Sequence, residues 1–227
     1  MLNVEYLDNC GYTVETESGI YVFDYVGGQL PSHYLFSKKP TYFFVTSTDE
    51  KRFSDSILAY RKPVYYGGTK NVTGSIDVQK VEPGDILHLG HARVYVYQAT
   101  RSGVYFCIEE KHRVIVHGGD LNNWHWSRLS TQRQIKSAVE RFENALIPLH
   151  RFETIDLMMF SIDPEMMQDY DLGARTVIKR FRPKYFFPMQ FGESIHNLES
   201  FLNWTEQIPS TQCYKPLYKN HIFRIEA

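Results

Sequence analysis

Apolar and polar residues alternate in short runs through the first half of the chain. The runs at residues 3–7, 12–16, 19–25, 41–46, 63–67, 85–90, 93–98, 104–110 and 113–119 are rich in Val, Ile, Tyr and Phe. A period of two with β-branched and aromatic residues predicts strands. Gly, Pro, Lys and Asp punctuate them, at Gly27-Gly28, Lys38–Pro40, Tyr66–Gly68 and Glu82–Asp85. One short helix is predicted over Arg52–Tyr60.

The period changes after Asp120. Ile135, Ala138, Val139, Phe142, Ala145 and Leu146 share one helical face, and Thr131 with Gln134 has the spacing of a capping box. A strand follows at 155–163, then a helix carrying Leu172, Val177, Ile178 and Phe181. A strand at 184–188, a helix through Ile195, Leu198, Phe201 and Leu202, and two strand-like runs close the chain. The front half therefore reads as a β-meander with one helix and the back half as α/β. Helices enough to cover one face of each sheet predict two stacked sheets with helices outside. No Pro/Gly/Ser-rich linker interrupts the 227 residues, so a single domain over 1–227 is expected.

Composition narrows the function classes. Lys and Arg number 25 against 26 Asp and Glu, a net charge of -1, which gives no field to draw the protein to nucleic acid or an anionic membrane. Cys10, Cys107 and Cys213 are scattered without a CxxC pair, which argues against a disulfide framework or a Cys-rich zinc site. The opening MLNVEYLDNC lacks the basic start and apolar stretch of a secretory signal. No apolar run approaches the ~18 residues of a membrane span. A soluble, reducing, cytoplasmic setting is expected. HExxH, G-x-S-x-G and P-loop patterns are absent from the sequence.

The distinctive segment is His117-Gly-Gly-Asp-Leu-Asn-Asn-Trp-His-Trp126. A glycine pair at a strand end lets backbone approach a site closely. An Asp placed there can coordinate a cation, accept a proton or simply cap the next turn. His117 and His125 flank Asp120 and are candidates for the same chemistry. Trp124, Trp126, Met166 and Met167 are candidates for an apolar wall.

This run resembles the Gly-Asp loop of the metallo-β-lactamase superfamily, and most resembles a bacterial branch of uncharacterised metal-dependent hydrolases with an AGDLNxWHW-like motif. Other stretches agree in order. Cys10–Thr16 with Val22-Phe-Asp-Tyr25 resembles the opening hairpin. Phe160–Pro164 with Leu172–Ala174 resembles a later FPVDPR…G segment, and Lys184–Phe191 the strand ending PMHF. The resemblance implies an α+β, four-layer αββα sandwich of two mixed sheets flanked by helices, with the site where these loops meet.

Such proteins hold zinc or another divalent pair through a strand-end HxHxDH motif. Here Ser47 and Asp49 stand at the first two histidines, Lys51 at the aspartate and Arg52 at the last histidine. Gln190 replaces the histidine of PMHF, Asn9 an early histidine, and Arg101 an Asp. Asp120 alone keeps its family residue. Lys and Arg offer only donors and positive charge, so they cannot ligate a cation. No zinc or other cofactor is expected; any residual ion would rest on Asp49 and Asp120. Lys51, Arg52 and Arg101 are expected to neutralise Asp49 and Asp120. Two consequences stand open: a site held shut by ion pairs, or a pocket of Ser47, Asp49, Lys51, Arg52, Arg101 and Gln190 for a small anionic molecule. The alternative is a hydrolase of an ester, amide or phosphoester that keeps an altered or mononuclear site around Asp120, His117 and His125.

Overall fold

The computed structural model describes residues 2–27, 30–73 and 77–226. Gly28, half of the expected Gly27-Gly28 turn, lies outside them. The chain divides into two compact units, Met1–Glu82 with Tyr218–Ala227, and Pro83–Leu217.

The first unit holds one seven-stranded sheet. Its strands are β1 (Leu2–Asp8), β2 (Gly11–Glu15), β3 (Ile20–Phe23), β4 (Thr41–Val45), β5 (Val64–Tyr66), β6 (Val78–Lys80) and β14 (His221–Ile225), in the order β14-β1-β2-β3-β4-β5-β6. The β14-β1-β2-β3 pairs are antiparallel and the β3-β4-β5-β6 pairs parallel. The expected meander thus stops at β3. Parallel neighbours need crossover connections, and helical turns sit on two of them: α1 (Ser32–Leu35) and a 3-10 turn (Asp55–Tyr60). That 3-10 turn replaces the helix expected over 52–60. It starts late because residues 49–53 form a separate turn, with Arg52 N and Phe53 N both donating to Asp49 O at 3.0 Å, and Ser54 caps the new start.

Ile20, Val22, Phe43, Val45 and Val64 form one apolar face with Tyr34 of α1 and Phe53 and Ile57 of the connection. Burial of each large apolar side chain contributes roughly 1.5–3 kcal/mol. This face anchors the C-terminal end of β4, where the first group of candidate residues begins.

The second unit holds β7 (Ile86–Leu89), β8 (Ala92–Gln98), β9 (Val104–Glu110), β10 (Arg113–His117), β11 (Leu157–Ser161), β12 (Tyr185–Met189) and β13 (Gln212–Cys213). They form a second seven-stranded mixed sheet, antiparallel from β7 to β10 and parallel from β10 to β13. Strands β11 and β12 are buried at every position, which is why they read as unbroken apolar runs. Helices α2 (Gln132–Leu146), α3 (Leu172–Phe181) and α4 (Glu199–Thr205) flank the sheet. The capping box of Thr131 and Gln134 is formed at the start of α2. Phe142 of α2 meets Phe160 at 6.4 Å, Phe160 meets Phe186 at 6.3 Å, and Phe186 meets Phe201 of α4 at 5.8 Å between ring centroids.

Candidate functional site

In the first unit, the loop after β4 carries Ser47, Asp49, Lys51 and Arg52. Its organising residue is Asp24, one step past β3, in the left-handed region at φ 42°. The Asp24 carboxylate accepts from Thr46 N and Thr46 Oγ1, each at 2.7 Å, and from the Arg52 guanidinium at 3.1 Å. Asp24 and Arg52 are each 1% exposed. A buried carboxylate requires compensation, and the guanidinium with two further donors supplies it. Arg52 Nε lies 3.9 Å from Asp49 Oδ2.

Asp49 is exposed and serves its own turn. It accepts from Ser47 Oγ and from Lys51 N, both at 3.0 Å. Asn9 donates to the Lys51 carbonyl at 3.2 Å. The Lys51 side chain is exposed, and no ion pair involves it among the described residues. The buried partner of Arg52 is thus Asp24, which sequence reasoning did not single out. Its signal was an Asp directly after an apolar strand in the Phe-Asp-Tyr run.

In the second unit, the loop after β10 surrounds Asp120, which is 5% exposed. Ser102 Oγ donates to the Asp120 carboxylate. Thr100 Oγ1 donates to the Asn122 carbonyl at 2.7 Å and accepts from Asn122 N at 2.9 Å. Trp124 Nε1 donates to Asp120 O at 2.8 Å. Arg101 is exposed, with its guanidinium carbon 5.3 Å from the centre of the Trp124 ring. The Asn122 side chain holds Ser161 O at 3.2 Å and Asn123 N at 2.8 Å.

The remaining candidates divide. His125 places Nδ1 3.2 Å from Asn123 Oδ1 and Nε2 4.0 Å from Asp169, whose other oxygen accepts from Ser127 N at 2.6 Å. The Ser127–Asp169 bond ties the loop to the turn that follows β11, and His125 lies beside it. His117 is fully buried inside β10, opposite Phe106 and Met159. Gln190 follows β12 at φ 58°, and its Oε1 is buried with no hydrogen-bond partner among the described residues. Trp124 and Met166 are buried, whereas Met167 is 57% exposed, so the four apolar candidates form no single wall.

No protein-family model and no curated protein matches the sequence. Solved structures do match its shape. The chain aligns with the metallo-β-lactamase fold protein YhfI from Bacillus subtilis over 98% of both chains, with a TM-score of 0.63 and 12% identity. The fold is that of the metallo-β-lactamases. A possible metal-dependent hydrolase from Veillonella parvula gives a TM-score of 0.67 at 11% identity, covering 99% of this chain and 100% of that one. CmlA, a diiron β-hydroxylase from Streptomyces venezuelae, gives 0.63 at 12% identity, and this chain spans 54% of its length.

Proteins of the metallo-β-lactamase fold hold their metal through imidazoles and carboxylates. The residues here do not fit that group. Among the described residues no three or more His, Cys, Asp or Glu side chains are placed to hold a metal ion. At the position given to the last histidine of the motif stands a guanidinium buried against Asp24. The neutral residues left, Ser47 and Gln190, are poor zinc donors.

Proposed function

We propose that this metallo-β-lactamase-fold protein binds a small anionic molecule and does not carry out zinc-dependent hydrolysis. The observation that carries the reading is the buried Arg52–Asp24 pair. It commits a ligand position to a permanent cation, and a divalent ion beside it would meet repulsion rather than coordination. Two further cations, Lys51 and Arg101, are exposed at former ligand positions. The Arg101 guanidinium lies 5.3 Å over the Trp124 ring, and a guanidinium can grip a carboxylate or phosphate through two donors at once.

The test is elemental analysis of the purified protein before and after dialysis against zinc and manganese, followed by thermal unfolding with phosphate and with citrate. The reading expects no retained metal. It also expects a rise in melting temperature with one anion that Lys51→Ala or Arg101→Ala reduces.

A second reading is favoured by the intact Asp120 loop and by the hydrolase descriptions of neighbours such as the Veillonella protein. In it the protein hydrolyses an ester, amide or phosphoester with Asp120, His117 and His125. Stoichiometric metal that survives dialysis would select it.

A further inference from the structure

The apolar face of the first sheet turns polar at its β1–β2 end. Glu5 and Thr13 are direct cross-strand neighbours, as are Asn3 and Glu15. Residues two apart on a strand point to the same side, so all four side chains share one face. Glu5 and Thr13 are both 0% exposed. Three oxygens on this face, Glu5 Oε2, Thr13 Oγ1 and Asn3 Oδ1, are buried with no hydrogen-bond partner among the described residues.

The charges around them do not balance. Glu15 is matched by Lys39, whose ammonium donates to Glu15 Oε1 at 2.7 Å and to Thr16 O at 2.6 Å. Glu5 Oε1 accepts from Asn220 Nδ2 at 2.8 Å, and the Tyr34 hydroxyl is a further hydrogen-bond partner of the carboxyl group. No ion pair joins Glu5 to a cation among the described residues, and Arg224, opposite Asn3, is exposed. The Tyr34 phenol is held well above its usual pKa, first by burial and next by the charge of Glu5, which places that carboxylate beside it. The face therefore carries one uncompensated negative charge among hard oxygen donors. A buried carboxylate in that state is costly unless something positive joins it.

We propose that Glu5, Thr13 and Asn3 form a binding site for a monovalent cation, sodium or potassium, on the helix-covered face of the first sheet. One positive charge balances the ledger, and neutral and anionic oxygens without nitrogen or sulfur suit an alkali ion. A cavity of about 230 Å³, lined by Leu7, Asp8, Tyr25, Val26, Gly27, Lys219 and Asn220, adjoins it through Asn220, the residue that bonds Glu5. Asp8 and Lys219, which both line that cavity, pair with each other at 2.6 Å, so its rim is near neutral and the carboxylate of Glu5 is the group left without a cation among the described residues.

The experiment is thermal unfolding of the full chain at constant ionic strength in sodium, potassium or choline chloride. The expected result is a melting temperature about 2–4 °C higher in one alkali chloride than in choline, saturating with that ion. Thr13→Val and Glu5→Gln should each abolish the difference. If Glu5→Gln fails to fold, Thr13→Val, which removes one oxygen at nearly constant shape, decides alone. Equal melting temperatures in all three salts would overturn the proposal and leave these oxygens to ordered water. An alkali-specific shift that survives Thr13→Val would also overturn it.

Discussion

Arg52 shows how much a single side chain decides in this protein. Its guanidinium and the Asp24 carboxylate are almost completely removed from water, so each is tolerated only because of the other. Truncating one partner of such a pair costs about 3–5 kcal/mol, because the charge left behind remains buried. Arg52→Ala should lower stability by that order in urea unfolding. Asp24→Asn in the same background should recover part of it, since a neutral amide is cheaper to bury. Additive effects in the double-mutant cycle would mean that the two residues do not depend on each other. The pairing was only half legible in the sequence. Cations at ligand positions announce that some carboxylate needs them, and Asp49 and Asp120 were the obvious candidates. The partner lies 28 residues earlier, and strand alternation carries no information about which loop a strand end will face. Asp120 was legible because its Gly-Gly-Asp run is local. Its hydroxyl partner Ser102 was not, because β9 and β10 must pair before residues 102 and 120 meet.

At the scale of elements, the period of the pattern was a good guide wherever an element is long enough to show one. Helix α2 spans 15 residues and carries its own start signal in Thr131 and Gln134. Strand β6 has three residues and α1 four, too few for any period to register. Strand direction was invisible, because alternation is the same for either sense of pairing. Helix α3 offers a test of fit between an element and a loop. A Cβ on Gly173 would come within 1.9 Å of Asn122 Oδ1. Gly173→Ala should therefore destabilise by about 1–3 kcal/mol, despite the better helix propensity of alanine. In an Asn122→Ala background the same substitution should be neutral or stabilising. An equal loss in both backgrounds, by chemical denaturation, would show that the contact does not limit the helix.

At the scale of the whole molecule, the sequence has no repeat, yet both sheets follow one plan: four antiparallel strands continued by three parallel ones. Architecture repeats here without sequence repeating, since many apolar residues satisfy the same pattern. The three thiols report on the integrity of that architecture. Cys10 and Cys107 are buried. Burial pushes the Cys107 thiol well up, and it pushes Cys213 up to about 12 against partial relief from Thr205 and Lys215. At pH 8 little thiolate is present at Cys107 or Cys213, and Ellman's reagent should label the two buried thiols, Cys10 and Cys107, only as fast as the structure opens, with rates rising in urea. Labelling of Cys10 or Cys107 within seconds in native buffer would contradict that burial.

The first unit is discontinuous in the chain, since residues 221–225 supply the strand that pairs with β1. In time, this means that the outer edge of β1 waits open on the ribosome until residues 221–225 have been made. An open edge is a template for stray pairing. A fragment ending at residue 82 would keep that edge bare for good. Because Ile225 already lies opposite Leu2, a few residues of turn joining them would make β14 and β1 a simple hairpin, and a chain reordered in that way would finish its first sheet early rather than last.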